Sequence, residues 1–215
     1  MKTDCALIDM DGTVLSKRSI DVLCESFGFA SRLKQLDFEL SEAPRYVVTE
    51  KVVKLLAGKK KSDLVRAFDS IPLNDGVDQF ISFLKDRGAV VAVATDSYKF
   101  LADRLKERLH LDLVYGNKLQ FDSDSLTGKI LTAHSCLKIP QCKQHSVCKL
   151  RFLKSLQGAL EGRIIAVGDS DSDLCMLEGA DIAIAYRPKN ERISQKADII
   201  VQDFKEAITY LQKRL

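Results

Sequence analysis

Short apolar runs alternate with segments of helical periodicity along most of the 215-residue chain. The runs are rich in Val, Ile and Ala, a pattern typical of strands that are covered on both faces in a parallel sheet. The alternation therefore favours an α/β fold with a doubly wound parallel sheet. We predict strands over residues 4–9, 89–95, 163–168, 181–185 and 198–201, and helices over 75–87, 97–109, 147–158, 171–178 and 203–214.

One segment interrupts this alternation, because residues 19 to about 70 carry only helical patterns. An all-helical segment inserted after the first strand predicts a small separate cap. We therefore divide the chain into a helical cap domain of residues 17–71 and an α/β core domain of residues 1–16 and 72–215. Within the core, residues 117–131 alternate around a turn rich in Asp and Ser, which predicts a β-hairpin.

The composition limits the range of partners. The chain is 46% hydrophobic, and its 33 basic and 30 acidic residues leave a formal net charge of +3. That charge is too small to indicate nucleic acid or an anionic membrane as a partner. No apolar run has the length of a transmembrane helix. Asp4 and Asp9 interrupt the apolar stretch at the N-terminus, so we expect no signal peptide and a cytoplasmic location.

Three of the six cysteines, Cys136, Cys142 and Cys148, lie at intervals of six residues in a stretch that also contains His134 and His145. Cysteine and histidine together could bind a metal, but structural zinc sites usually contain closely spaced pairs of cysteines, which this stretch lacks. We therefore expect reduced thiols here, as is usual in cytosolic proteins.

Polar residues follow three of the predicted strands at the point where each strand ends. In an open parallel sheet, ligands bind at the carboxyl ends of the strands. Several carboxylates at one edge repel each other unless a cation lies among them, and oxygen ligands suit Mg²⁺. Each fragment alone is typical of a turn, so the prediction of a magnesium site depends on all three together. The fragments are Asp9 with Asp11, then Thr95 with Asp96, then Asp169, Asp171 and Asp173.

These motifs resemble a known family. The segments "DMDGT", "VVAVATDS" and "AVGDSDSDL", with Lys149 ahead of a helix, are similar to the haloacid dehalogenase-like (HAD) hydrolase superfamily over essentially the whole chain. Within it, "SIDVLCESFG", the hairpin "NKLQF…LTGKI" and the final "ITYLQKRL" resemble the phosphoserine phosphatase-like group. The resemblance implies a Rossmann-like core with a cap, and Mg²⁺-dependent hydrolysis of a small phosphorylated metabolite. We expect a monomer or a homodimer.

The resemblance also implies a role for each acid. Asp9 would be the nucleophile that forms an aspartyl-phosphate, and Asp11 would be the general acid and base. A carboxylate oxygen of Asp9, the backbone carbonyl of Asp11 and the side chain of Asp169 would bind Mg²⁺. Asp173 would orient a metal-bound water, and Asp171 occupies a variable, solvated position.

Thr95 and Lys149 would bind the phosphoryl oxygens. We predict that Thr95 lies at the N-terminus of the following helix, where backbone N–H groups bind anions. Lys149 would bring a positive charge to the phosphoryl group. Lys143 and Lys154 are nearby rivals and Lys138 is a more distant one, but the position of Lys149 at the start of an amphipathic helix favours it.

Two departures from the phosphoserine phosphatase-like group concern the substrate. The group usually has "SGG" after its second strand, where this chain has Thr95, Asp96 and Ser97. The Asp96 carboxylate could repel the substrate, cap the next helix or contact a cationic group of the substrate.

The second departure lies in the cap. A glutamate that pairs with the substrate ammonium in the group falls at Arg18 here, and the cap arginine of the group falls near Val52, with Arg45 close by. An arginine has the right charge for a carboxylate or a second phosphate. We therefore expect Arg18 and Arg45 to bind a small phosphomonoester that carries extra negative charge.

Other interpretations remain open from the sequence. A phosphotransferase would use the same aspartyl-phosphate and pass the phosphoryl group to an acceptor alcohol. A receiver-type signalling domain also has a doubly wound fold with a phospho-accepting Asp, but the helical insertion and Asp11 argue against it. A catalytically idle binding protein is disfavoured by the intact set of acids.

Overall fold

The structure is a computed structural model that describes residues 3–131, 142 and 144–215. Strands and helices alternate through most of this range. The strands are β1 (Cys5–Asp9), β2 (Val90–Tyr98), β3 (Leu113–Asn117), β4 (Leu119–Asp122), β5 (Ser125–Ile130), β6 (Ile164–Gly168), β7 (Ile182–Tyr186) and β8 (Ile199–Val201). The helices are α1 (Ser19–Ser26), α2 (Ala30–Glu39), α3 (Arg45–Leu55), α4 (Lys61–Asp69), α5 (Val77–Lys85), α6 (Lys99–Leu109), α7 (Lys149–Ala159), α8 (Leu174–Gly179), α9 (Glu191–Ser194) and α10 (Phe204–Gln212).

Six strands form one parallel sheet in the order β3-β2-β1-β6-β7-β8. The predicted α/β fold with a doubly wound parallel sheet is therefore confirmed. From β1 the chain builds outward through β2 and β3 on one side, and then through β6, β7 and β8 on the other. The order reverses between β1 and β6, and a crevice opens at such a point beyond the carboxyl ends of the strands.

Both faces of the sheet are covered, which explains the apolar strands. Alternate residues of β1 point to opposite faces. Cys5 and Leu7 pack into a core that includes residues of α7 and α8, while Ala6 and Ile8 pack into a core with residues of α5, α6 and α10. All four of these side chains are fully buried.

The helical insertion comprises α1, α2, α3 and α4, which follow β1 directly. The hairpin of β4 and β5 is attached to this insertion by backbone hydrogen bonds. The Gly58 N–H donates to the Leu126 carbonyl at 2.8 Å, and the Lys61 N–H donates to the Asp124 carbonyl at 2.8 Å. The division into a cap of residues 17–71 and a core of 1–16 and 72–215 stays a prediction, and the hairpin provides a second connection between the two.

The structure differs from the sequence-based prediction around the second strand. The strand β2 continues to Tyr98, and α6 begins only at Lys99. Tertiary contacts hold this extension, because Ser97 and Tyr98 are buried and the Asn117 side-chain amide donates to the Asp96 carbonyl at 2.7 Å. The edge strand β3 was not predicted from the sequence, and α8 begins at Leu174 rather than at residue 171.

Candidate active site

Three buried acids meet where the sheet order reverses. Asp9 is the last residue of β1, and Asp169 directly follows β6, its parallel neighbour. Asp173 immediately precedes α8. Each of the three offers a carboxylate oxygen, and these oxygens all lie within 4.8 Å of one another. The parallel pairing of β1 with β6 therefore produces the clustering that the strand-end acids predicted.

Lys149 completes this cluster from the first turn of α7. Its buried ammonium group donates to the carboxylate of Asp9 and, at 2.5 Å, to Oδ1 of Asp173. Burial alone would lower the pKa of Lys149, but the nearby charges of Asp173 and Asp9 outweigh burial and raise it. Among the rival lysines, Lys154 is exposed on α7, while Lys143 and Lys138 lie outside the described residues.

The charge balance of the cluster favours a further cation. Burial raises the pKa of Asp9 well above its ordinary value, and repulsion from Asp173 and Asp169 adds to this effect beyond what Lys149 offsets. One oxygen of Asp169, Oδ1, is buried and has no hydrogen-bond partner among the described residues. An orphaned carboxylate oxygen beside further carboxylates is a donor set that fits Mg²⁺.

Both carboxylate oxygens of Asp173 already have hydrogen-bond partners within the protein. Its Oδ2 accepts hydrogen bonds from the backbone N–H groups of Asp169 and Ser170, both at 3.1 Å, while Oδ1 pairs with Lys149. These contacts fix the loop that carries Asp169. Such an arrangement suits a residue that supports the cation site from outside more than one that binds the cation directly.

Asp11 lies next to the start of the helical insertion. Its carboxylate accepts hydrogen bonds from the backbone N–H and the hydroxyl of Ser19, at 2.9 and 3.0 Å, at the first residue of α1. Burial raises the pKa of Asp11 to about 6, although the two bonds from Ser19 act in the opposite direction. A carboxyl group with such a pKa can both donate and accept a proton near neutral pH.

The turn that follows Asp11 depends on Gly12. Its φ of +93° belongs to the left-handed region, and a Cβ placed there would lie 2.2 Å from Oδ2 of Asp169. The buried amide of Asn74 holds the same turn, because it donates to the carbonyls of Thr13 at 2.8 Å, and of Gly12 and Leu15 at 3.2 Å.

A cavity of about 310 Å³ lies against these groups. Its wall includes Asp9, Asp11 and Thr95 from the edge of the sheet, and Arg18 and Arg45 from the helical insertion. The prediction that Thr95 lies at a helix N-terminus is wrong, because Thr95 is within β2 and α6 begins four residues later. Its hydroxyl oxygen accepts a hydrogen bond from the Ser97 N–H at 3.0 Å.

The two arginines share one acid. The Arg45 guanidinium donates to Oδ1 of Asp37 at 2.8 Å, and the Arg18 guanidinium lies 3.5 Å from Oδ2 of the same residue and 3.3 Å from Asp21. Arg18 is therefore not simply exposed on the linker, since it lies between the cavity and the acids of the insertion. Val52, where the resemblance places the cap arginine, is a buried part of the cavity wall.

Asp96 contacts a segment distant in sequence. Its carboxylate accepts hydrogen bonds from the Ser146 hydroxyl at 2.5 Å and from the Val147 N–H at 3.0 Å, and lies 3.2 Å from Nδ1 of His145. Burial alone would raise the pKa of Asp96, but these bonds, with that of His145 first, outweigh burial and lower it. The helix cap is not observed, since Asp96 lies in β2 and is bonded to the segment before α7.

Sequence reasoning missed Lys189, which also lines the cavity. Its ammonium group pairs with Oδ2 of Asp169 at 2.7 Å, and its backbone N–H donates to the Asp169 carbonyl at 2.8 Å. Lys189 lies three residues after the end of β7. The same rule that selected the acids at strand ends would have found it. Asp171 also lines the cavity, where its carboxylate accepts a hydrogen bond from Asn190 at 3.0 Å.

The cysteine-rich stretch is only partly described. His134 and Cys136 lie outside the described residues, and Cys142 is hydrogen-bonded to Cys175 of α8. No disulfide bond joins any of the five cysteines that the structure covers. Within residues 3–131, 142 and 144–215, the three buried aspartates are the one cluster with the geometry of a metal site. In the same residues, no helix is long and apolar enough to cross a lipid bilayer.

Comparisons with known proteins show what this chain is similar to. The family model for haloacid dehalogenase-like hydrolases matches residues 6–178. A phosphoserine phosphatase of Idiomarina loihiensis is 30% identical over 202 residues, which cover 88% of this chain and 85% of that protein. A phosphoserine phosphatase of Methanocaldococcus jannaschii is 26% identical over 219 residues, which cover 98% of this chain and 99% of that protein.

One relative is considerably longer. A phosphoserine phosphatase of Archaeoglobus fulgidus is 30% identical over 85% of this chain, but the chain spans only about half of that protein, 52% of its length. Among solved structures, a phospho-aspartyl intermediate analogue of phosphoserine phosphatase superposes with a TM-score of 0.82 at 25% identity. The superposition covers 98% of this chain and 99% of the other.

Proposed function

The chain belongs to the haloacid dehalogenase-like hydrolase family, and we propose that it hydrolyses a small phosphorylated metabolite through an aspartyl-phosphate on Asp9. The observation that carries this proposal is the arrangement at the edge of the sheet. Asp9 lines the cavity, is ion-paired with the buried Lys149, and lies within a cluster of acids, while Asp11 lines the same cavity. The proposed nucleophile and proton donor therefore line one cavity, and a buried positive charge is paired with the proposed nucleophile.

The donor set supports Mg²⁺ as the cofactor. Asp9, Asp169 and the backbone carbonyl of Asp11 would hold the ion, with Asp173 in a supporting position. When bound, the ion supplies positive charge that reduces the repulsion between the Asp9 carboxylate and a phosphate. The unpaired Oδ1 of Asp169 and the raised pKa of Asp9 support this assignment independently of the family.

The residues of the chain account for both halves of the reaction. In the first, the Asp9 carboxylate forms a bond to phosphorus while the bond from phosphorus to the ester oxygen breaks, and Asp11 gives its proton to the departing alkoxide. In the second, Asp11 takes a proton from a water molecule that attacks the phosphorus. Inorganic phosphate leaves, and the Asp9 carboxylate is restored. Lys149 and the Thr95 hydroxyl bind phosphoryl oxygens throughout.

The helical insertion would act as a cap that selects the substrate. Residues 17–71 place Arg18 and Arg45 on the cavity wall, and Asp37 alone is shared between them. An arginine repels an ammonium group and attracts a carboxylate or a second phosphate. The relatives are named as phosphoserine phosphatases, and their names specify phosphoserine as the substrate. For this chain we propose a small phosphomonoester with a further negative charge.

Turnover of p-nitrophenyl phosphate tests the proposed reaction. We expect the wild-type chain to hydrolyse it only in the presence of Mg²⁺, with activity lost in a chelator and restored by added Mg²⁺. Asp9→Asn should lower kcat by roughly 10³-fold or more, since the nucleophile is absent. Asp122→Asn, at the exposed end of β4, is the matched control and should leave kcat unchanged. Hydrolysis by Asp9→Asn at the wild-type rate, or without any metal, contradicts the proposal.

A substrate panel tests the proposed role of Arg18. Small phosphomonoesters with an added carboxylate or phosphate should be hydrolysed with higher kcat/KM than neutral or cationic ones. In Arg18→Glu, kcat/KM for the anionic esters should fall by about tenfold or more, while that for p-nitrophenyl phosphate should change much less. A wild-type preference for phosphoserine over anionic esters that lack an ammonium group would contradict this part of the proposal.

A further inference from the structure

His145 lies at the junction of the core and the helical insertion. It precedes α7 by four residues and lines the same cavity as Asp9 and Arg45. The Tyr46 N–H, in the first turn of α3, donates to the Gln144 carbonyl at 3.1 Å. This hydrogen bond places the residue before His145 directly against the start of the helix that begins with Arg45.

The imidazole of His145 is oriented by the core. Its Nδ1 lies 3.2 Å from Oδ2 of Asp96, and the same carboxylate binds the two residues that follow, Ser146 and Val147. An ionised carboxylate at Nδ1 selects the form of the ring in which Nδ1 carries a proton. The Asp96 carboxylate is thereby occupied by hydrogen bonds to residues 145–147. Within the part of the chain that the structure describes, Nε2 remains as the ring nitrogen without a partner.

This second nitrogen has no partner among the described residues, and it is buried from solvent. A buried polar atom without a hydrogen bond is uncommon in a native structure and requires an explanation. His145 lines the cavity, so a small displacement of this wall as a ligand binds would let the ligand supply the missing partner.

The surrounding charges indicate what that ligand carries. Lys149 is paired with Asp9 and Asp173, on the side where the transferred phosphoryl group would bind. His145 is paired with Asp96 instead, and its chain neighbour Gln144 contacts the segment of Arg45. His145 therefore lies on the part of the cavity wall next to the segment of Arg45, and it takes no part in the ion pairs of Lys149.

We propose that His145, positioned by Asp96, is a substrate-binding residue whose Nε2–H donates to a second anionic group of the substrate, beside Arg45. This inference rests on the proposed function and extends it to a residue of the core. In the complex, both nitrogens of the imidazolium would donate, Nδ1 to Asp96 and Nε2 to the substrate anion. Asp96 acts through His145 and is a positioning residue.

Equilibrium binding of non-hydrolysable phosphonates tests the proposal. Three probes share a phosphonate at one end and differ at the other: 3-phosphonopropionate carries a carboxylate, propylphosphonate a methyl group, and 3-hydroxypropylphosphonate a hydroxyl. Calorimetry with Mg²⁺ present should show 3-phosphonopropionate binding about tenfold more tightly to the wild type than either of the others.

The variants separate the role of the histidine from that of the fold. His145→Ala should reduce the preference for the carboxylate probe by about fivefold or more, and should leave the Kd of propylphosphonate within about twofold. Asp96→Asn should reduce the preference in the same direction, because an amide lacks the negative charge that stabilises a ring donating from both nitrogens. His110→Asn is the control: this exposed histidine has a φ of 52°, which Asn tolerates, and the preference should be unchanged.

His145→Leu decides the matter if the alanine variant does not unfold cooperatively, since it keeps most of the side-chain volume but has no hydrogen-bond donor. An unchanged preference in whichever variant folds overturns the inference, as does equal binding of the hydroxyl and carboxylate probes by the wild type. Turnover of p-nitrophenyl phosphate by the same wild-type preparation is measured separately. Loss of that turnover contradicts the proposed function, whereas the binding ratio alone decides the role of His145.

Discussion

Two opposing effects act on the pKa of Asp11. Burial raises its pKa to about 6, while the Ser19 N–H and hydroxyl stabilise the charged form. The result is a carboxyl group that is mostly protonated at mildly acidic pH and mostly ionised above neutrality. In the proposed first step this group must be protonated, because it supplies the proton for the departing alkoxide.

The pH profile of kcat/KM tests this role. For an alkyl phosphate, whose leaving group needs a proton, kcat/KM should fall as the pH rises above about 6. For p-nitrophenyl phosphate, whose leaving group is stable as an anion, the fall should be absent or much smaller. The ionisation of each ester's phosphate is measured separately and corrected for, so the remaining difference between the profiles reports the enzyme. Identical profiles would contradict the assignment of Asp11 as the acid, and Asp11→Asn should remove the difference.

Asp96 makes the stability of the fold depend on pH. Its pKa in the folded state lies below the ordinary value of 3.8, because bonds from His145, Ser146 and Val147 outweigh its burial. Its contribution to stability is therefore fully present above the pKa of the unfolded state and is lost as the pH falls through the lower pKa of the folded state.

Asp96→Asn should consequently destabilise the protein at neutral pH by about 1–3 kcal/mol, since a charge-assisted network is replaced by a neutral amide. Denaturant unfolding at neutral pH measures this difference. Repeated below about pH 3.8, the same measurement should show the wild type and the variant converging. A difference that is constant across the pH range would contradict the ionised state of Asp96 in the fold.

At the residue scale, the sequence predicted the acids and Lys149 because each has a fixed relation to a strand or a helix. Asp9 and Asp169 lie at strand ends, and Lys149 begins an amphipathic helix. His145 and Asn74 could not be found in that way. Each lies in an irregular segment, and its importance arises only from contacts made across the fold.

The loop that connects β1 to the helical insertion is built as one unit. Backbone bonds from Gly12 N to Leu15 O and from Leu15 N to Met10 O, at 2.9 and 2.8 Å, close the turn internally. Asn74 then adds three bonds from outside, to the carbonyls of Gly12, Thr13 and Leu15. The position of Asp11 therefore depends on a residue more than sixty positions away in the chain.

Asn74→Ala should destabilise the fold by about 1–3 kcal/mol, because it leaves buried carbonyl groups without their hydrogen bonds. It should also lower kcat by about tenfold or more with a smaller effect on KM, since Asp11 loses its fixed orientation. Gln35→Ala, on the exposed face of α2, is the control for a truncated amide. Wild-type kcat in a folded Asn74→Ala chain would show that the turn holds Asp11 without help.

At the element scale, long amphipathic patterns were predicted well and element ends were not. The predicted helix over 97–109 begins two residues before α6, because tertiary bonds keep residues 96–98 extended. The edge strand β3 contains Gly116 and exposes Leu113, so its sequence lacks the continuous apolar character of the central strands.

The whole molecule explains why scattered residues converge. Parallel strands on both sides of β1 present their carboxyl ends at one edge, and the reversal of strand order opens a crevice there. The insertion after β1 and the hairpin of β4 and β5 are joined to each other by backbone hydrogen bonds. The sequence predicted the fold class and the insertion from periodicity, but periodicity carries no information on strand order, on β3 or on which side of the cavity the arginines occupy.

Detection of the covalent intermediate tests the central claim most directly. The chain is mixed with a phosphomonoester and Mg²⁺, quenched in acid, reduced with borohydride and digested, and the peptide that contains Asp9 is examined by mass spectrometry. An acyl phosphate on Asp9 is reduced to homoserine, whereas an unmodified carboxylate is not. The intermediate should accumulate most in Asp11→Asn with p-nitrophenyl phosphate, because this ester needs no proton to leave, while hydrolysis of the intermediate lacks its base. Homoserine at position 9 is the predicted result. Substrate turnover with no modification at that position, in the wild type and in Asp11→Asn, would contradict the account.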